Sequence, residues 1–200
     1  MNIYVETNFV LELAFEQEQG ESCEQILQLA ETEKIKLMLP AYSLAEPYEK
    51  LNRQAKNRKK LQSELNIELR QLSRSKTYTN RIESIKDLAK LIVQSNEEEW
   101  QRFIQYRERL INYAEFIALD VCILQTAASF ETLFDLGSQD AIVFASVISH
   151  LQQNNPSHAC FLNKNTKDFD NPDIVRELNK LSCRMIPRFD RGLDFMRSHL

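Results

Sequence analysis

Met1-Asn2-Ile3-Tyr4-Val5-Glu6-Thr7-Asn8 opens the chain with an apolar run, Ile3 to Val5, that stops abruptly at an acid and two hydrogen-bonding residues. Aromatic and β-branched neighbours favour a buried strand, and with no polar tail ahead of it the chain is expected to enter the fold directly. In an open parallel sheet, ligands bind just beyond the carboxyl ends of the strands, so an acid at that edge is a site candidate. Taken alone, Glu6 reads more readily as a solvated strand-end residue capping the helix after it. The question is whether other acids share its edge.

Working outward, Phe9, Val10, Leu13 and Ala14 fall at helical spacing, Gly20 breaks the period, and Cys23, Ile26, Leu27 and Ala30 make the apolar face of a second helix that Ser22 would cap. Ile35 to Leu39 reads as a second strand stopped by Pro40. Ser43-Leu44-Ala45-Glu46 fits the S-x-x-E capping box, which places Glu46 in the first turn of a helix leaving the sheet. From Lys50 to about Phe116 the pattern is helical and polar-rich. Leu61, Leu65, Leu69 and Leu72 form one packing stripe, Ile82 to Ile92 a second and Trp100 to Ala114 a third, with a turn over Ser73 to Asn80 and a helix start at Ser95-Asn96. Phe116 to Leu119 reads as a third strand ending at Asp120, followed by a helix over Val121 to Phe130. Gly137-Ser138-Gln139-Asp140 then opens a long apolar helix. Ala159 to Leu162 is a fourth strand, Asn171-Pro172 caps a last helix, and Met185-Ile186 reads as a fifth, edge strand. Strands alternate with helices at both ends of the chain, which predicts an α/β fold: a mostly parallel sheet sandwiched by helices, carrying a helical insertion at about 50–115 within a single domain of residues 1–200.

Composition bounds the function. A hydrophobic fraction of 43%, a charged fraction of 27% and only 3 Gly describe an ordinary globular chain rich in helices. There is no basic region followed by an apolar core and a cleavage site, and no run of membrane-spanning length, so the expectation is a cytoplasmic protein with no membrane partner. Cys23, Cys122, Cys160 and Cys183 lack any C-x-x-C spacing and lie among apolar residues, reading as buried free thiols. The three histidines form no ligand pair, which argues against zinc. Charge is uneven: 11 Lys or Arg stand against 3 Glu between Lys50 and Lys86, although the whole chain carries −4. A basic segment set against an acidic remainder suits a polyanion held by one part and processed by another, or a solvated helical face.

Glu6, Glu46, Asp140 and Asp168 share an address. Each follows a predicted strand or lies in the first turn of the helix after one, which in a parallel sheet is a single edge. Crowded carboxylates repel and raise one another's pKa unless a cation joins them. Hard oxygen donors without His or Cys select Mg²⁺ or Mn²⁺, and such a site suits phosphodiester hydrolysis by acidified water. Neither a nucleophilic Ser or Cys nor a Gly-rich phosphate loop competes with this reading.

Tyr4-Val5-Glu6-Thr7-Asn8, Pro40 to Glu46, Gln139-Asp140-Ala141 and Phe161-Leu162-Asn163-Lys164-Asn165-Thr166-Lys167-Asp168-Phe169 resemble, in order and strand context, the successive motifs of PIN domains. The resemblance covers residues 1–49 and 116 to about 190. It implies a three-layer α/β/α fold and a metal-dependent ribonuclease, in a family that includes the VapC-type toxins of bacterial toxin-antitoxin pairs. Position by position, it implies that Glu6, Glu46 and Asp140 coordinate Mg²⁺ or Mn²⁺, with Asp168 or Asn165 completing the site. Thr7, Asn8, Asn163 and Asn165 would be supporting residues. The family usually has Asp in the place of Glu6, and Asn165 is neutral. Two functions therefore stand: an endoribonuclease, or a catalytically impaired PIN-fold RNA-binding or scaffold protein. RNA, an antitoxin protein and a second copy of the chain are the partners implied. Arg53, Lys56, Arg58, Lys59 and Lys60 follow directly on the helix bearing Glu46 and would track a phosphate backbone toward the metal.

Overall fold

The computed structural model describes residues 1–165, 169 and 171–200, with backbone only at 79–81, 83, 84 and 86. Five strands, β1 (Asn2–Val5), β2 (Lys36–Pro40), β3 (Ala114–Ile117), β4 (Ala159–Leu162) and β5 (Cys183–Ile186), form one sheet in the order β3-β2-β1-β4-β5. Every pairing among them is parallel, in register from Asn2 opposite Lys36 and Ala159 to Leu162 opposite Ile186. Parallel neighbours need crossovers, and helices supply them: α1 (Thr7–Phe15), α2 (Gly20–Glu31), α3 (Ala41–Leu72), α4 (Thr79–Tyr113), α5 (Val121–Phe134), α6 (Ser138–Asn154), α7 (Pro172–Lys180) and α8 (Phe189–Arg197).

Alternation along the strands sorts the side chains into two cores. Ile3, Val5, Leu37, Leu39 and Leu162 face a cluster with Phe9, Ile26, Phe103 and Phe189 from α1, α2, α4 and α8. Tyr4, Met38 and Phe161 face the other way, onto Phe134, Phe144 and Leu178 from α5, α6 and α7. The inner strands β1, β2 and β4 are thus buried on both faces, giving the three-layer architecture that the alternation of strands and helices predicts. Gly192 lets α8 come down directly on β4: a Cβ there would lie 2.6 Å from Leu162 Cδ2. Among the described residues no helix is long and apolar enough to cross a membrane.

Several local expectations are corrected. The third strand lies earlier, at Ala114–Ile117. Asp120 caps α5 instead, its Oδ1 accepting from the Ile123 N–H at 2.8 Å, and α5 continues to Phe134. α2 begins at Gly20, ahead of Ser22, because the chain turns at Glu16, which takes the left-handed conformation after α1. α7 is capped by Asn171 as expected but is not the last helix, since α8 follows β5. Cys122 is exposed on α5, while the other three cysteines are buried.

The largest correction concerns α3 and α4, which pair as a hairpin of two long helices. No helix starts at Ser95-Asn96. The backbone of α4 runs through, Ser95 Oγ donating to the Ile92 carbonyl at 3.0 Å and Asn96 Oδ1 accepting from Arg58 of α3 at 2.9 Å. Arg58 also grips Glu99 with two hydrogen bonds, of 2.7 and 3.0 Å. Of the leucine stripe on α3 only Leu69 is fully buried, and Leu61 and Leu72 stand in solvent. Helical spacing places these residues on one side of α3 but does not say how far along the hairpin α4 covers it.

The fork of Arg58 onto Glu99 fastens the hairpin, and both groups are mostly shielded from water. Removing one partner of a shielded pair strands the other, so Arg58→Gln should cost about 3 kcal/mol, or roughly 10 °C in melting temperature for a chain of this size. Lys60→Gln removes only an exposed pair with Glu64 and should change little. Thermal melts followed by circular dichroism compare the two, and equal effects would show that the fork does not hold the hairpin.

Candidate functional site

Glu6 is the first residue past β1, with extended backbone, and its side chain folds back to cap α1. Oε2 accepts from the Asn8 N–H at 2.6 Å, and Oε1 accepts from the Lys164 N–H, beyond β4, at 3.3 Å. The residue is only 5% exposed. Burial pushes its carboxyl up to about 7, with the Asp140 charge adding to the rise and the two N–H donors opposing it.

Glu46 reaches the same place from α3. It lies in the second turn, not the first, because α3 begins at Ala41 with Pro40 as its cap. The capping box does not form: Ser43 is the third residue of the helix, its hydroxyl buried without a partner among the described residues. The carboxylate of Glu46 instead accepts from the Thr7 hydroxyl, at the start of α1. Asp140 comes from the first turn of α6, and Asn165 Nδ2 stands 3.3 Å from each of its oxygens. Asn163, itself buried, shapes the turn that presents Asn165. Its Oδ1 accepts from the Asn165 N–H at 2.7 Å, and its own N–H extends the β4–β5 pairing to the Ile186 carbonyl at 3.2 Å.

The structure therefore brings Glu6, Thr7, Asn8, Glu46, Asp140 and Asn165 into one cleft of 360 Å³ at the carboxyl edge of the sheet. Asp168 lies outside the described residues. Among those described, no three His, Cys, Asp or Glu side chains are gathered closely enough to hold a metal ion. Glu46 is held by Thr7 and Asp140 by Asn165. The chemistry of the donors nonetheless suits a hard divalent cation: hard oxygens, one of them a carboxyl raised to about 7 by burial and by the like charge of Asp140, which a cation would offset.

The basic run divides. Arg53 lines the cleft, whereas Arg58 is turned inward to Glu99 and Asn96, a correction to its expected place on the nucleic-acid face. Lys56, Lys59 and Lys60 are exposed along α3, Lys59 beside a separate hollow bordered by Trp100. Two features escaped the reading of the sequence. Lys50, one turn beyond Glu46, also lines the cleft, and its i+4 spacing was the available signal. Lys164 forms an ion pair with Glu12, whose carboxylate is 1% exposed and also accepts from the Gln19 N–H at 2.9 Å. No local pattern announces a partner 152 positions away.

A family model described as a PIN domain matches residues 3–169. Among solved structures, the chain is similar to VapBC2 from Rickettsia felis bound to a DNA fragment from their promoter. Identity is 14%, the TM-score is 0.44, and the alignment covers 93% of this chain and 98% of that one. A comparison with curated proteins gives no match.

The raised carboxyl of Glu6 has a measurable consequence. An unfolded glutamate ionises near 4.5 and the folded Glu6 near 7, so between those values the unfolded chain gives up its proton first. Rising pH therefore costs the folded state stability across that window. Without metal, the melting temperature of Glu6→Gln minus that of the native chain should grow between pH 5 and pH 8. A difference that stays flat would remove the buried, proton-retaining carboxyl.

Proposed function

Because the chain belongs to the PIN domain family, matched over residues 3–169, we propose that it is a metal-dependent nuclease that hydrolyses RNA phosphodiester bonds. The observation that carries this reading is that Glu6, just past β1, Glu46 of α3 and Asp140 of α6 all line one cleft where a parallel sheet presents its carboxyl edge. Glu6, Glu46 and Asp140 would hold Mg²⁺ or Mn²⁺, with Asp168 as a fourth candidate. The chemistry such an ion supplies when bound is electrostatic: it acidifies water and neutralises charge developing on phosphate oxygens.

The chain's own residues do the rest. The Asn8 and Lys164 N–H groups fix the rotamer of Glu6, the Thr7 hydroxyl fixes Glu46, and the Asn165 amide aligns both oxygens of Asp140. Asn163 sets the loop from which Asn165 works. Each carboxylate is thus oriented before a ligand arrives, which limits the reorganisation needed during reaction. The extra methylene of Glu6, relative to Asp, is taken up by its fold back onto the Asn8 N–H. The whole chain, 1–200, is one catalytic unit in this reading, with the hairpin at about 50–115 as the extension that meets RNA.

Cleavage of labelled single-stranded and structured RNAs in Mn²⁺, Mg²⁺ or EDTA tests the proposal. Cutting should require metal and should fall in Asp140→Asn by about two orders of magnitude, the scale on which removing one preorganised electrostatic group slows an enzyme. Cleavage that survives EDTA or Asp140→Asn would sink it. RNA binding without cutting in either metal would leave the PIN-fold binding or scaffold protein as the function.

A further inference from the structure

Glu46, Lys50, Arg53, Asn57 and Lys60 recur every three or four residues on α3, so they form one stripe along the helix. The stripe begins inside the cleft. Glu46, Lys50 and Arg53 all line it, and Lys50 and Arg53 are the cations among its described lining residues. It then leaves the cleft through exposed positions, Asn57 and Lys60, spanning about 21 Å at 1.5 Å per residue.

The neighbouring cations are differently engaged. Arg58 is committed to Glu99, and Lys164 is neutralised by Glu12 and Glu18. Lys50 rests above the Phe15 ring, 5.8 Å from its centre, a contact that leaves its ammonium able to meet an oxyanion. Arg53 has an exposed i,i+4 pair with Glu49 at 3.5 Å, too weak to hold it against a phosphate. Both cations follow Glu46 along α3, at one and two turns' distance.

We propose that Lys50 and Arg53 are a phosphate clamp that sets the register of an RNA strand against the carboxylates, and that the strand leaves the cleft along α3 toward Lys60. The clamp rests on the nuclease reading above, and supplies what that reading lacks: a direction for the substrate and the two side chains that fix which phosphodiester bond lies at the acids. It holds backbone rather than bases, so it is indifferent to sequence.

Binding is measured apart from cleavage, by fluorescence anisotropy of a labelled single-stranded RNA of about 12 nucleotides in EDTA, over a series of salt concentrations. Each phosphate contact on a single strand contributes roughly 0.7 to the slope of log affinity against log salt. Lys50→Gln with Arg53→Gln should therefore lower the slope by roughly 1.4 and weaken low-salt binding roughly tenfold. Arg53→Gln alone, at an exposed position that does not threaten folding, should lower the slope by roughly 0.7. Lys34→Gln, an exposed charge just before β2 at the opposite edge of the sheet, should leave it unchanged. Native slope and affinity in the double or the single variant would overturn the clamp, as would an equal loss in Lys34→Gln. Metal-dependent cutting by the native chain would then still stand, so the nuclease reading survives that failure. A native chain that neither binds nor cuts RNA would overturn both.

Discussion

A carboxylate kept out of water at the end of a strand is the constraint around which this molecule is arranged. Glu6 would be costly there if nothing answered it. Two backbone N–H groups do, one from the helix that Glu6 itself caps and one from the loop after β4. The first contact makes the start of α1 depend on the acid. The second ties β1 to its neighbour β4 at the place where Asn163 and Asn165 leave the sheet. Capping the helix, joining the strands and presenting an acid to the cleft are performed by the same two oxygens.

That arrangement explains which parts of the molecule could be read from the residues. The order of strands and helices was legible because apolar runs such as Ile3 to Val5 and Ala159 to Leu162 are bounded by polar residues, and in a parallel sheet every carboxyl-terminal boundary falls on one edge. The common address of Glu6, Glu46 and Asp140 follows from that topology without knowledge of any contact between them, whereas Asp168, expected beside them, lies outside the described residues. What failed was information about partners far away in sequence. Arg53 and Arg58 are indistinguishable in a list of basic residues, yet one lines the cleft and the other grips Glu99, because α4 covers only one side of α3. Ser43 and Glu46 match the capping pattern, but Pro40 had already begun the helix and Thr7 competed for the carboxylate. The pairing of Glu12 with Lys164 left no local trace at all.

A neighbouring set of contacts joins the two ends of the chain. Glu12 on α1 binds Lys164 and the Gln19 N–H, and the Gln19 side-chain carbonyl accepts from the Phe189 N–H at 2.6 Å, at the start of α8. Phe189 in turn packs edge-on against Phe9 of α1. Lys164, between Asn163 and Asn165, is therefore tied by charge to α1, and α1 is tied to the start of α8 by the Gln19 hydrogen bond and by aromatic packing.

The hairpin is built on a different plan. α3 starts on the residue after β2, and α4 ends on the residue before β3. Both feet are therefore set by two paired strands, held in register from Leu37 opposite Ala114 to Pro40 opposite Ile117. Lengthening or shortening the two helices by matched whole turns moves the tip and leaves the feet, the register and the acids where they are. The length of the hairpin is thus set independently of the acids at its base, because no contact among the described acids passes through its tip.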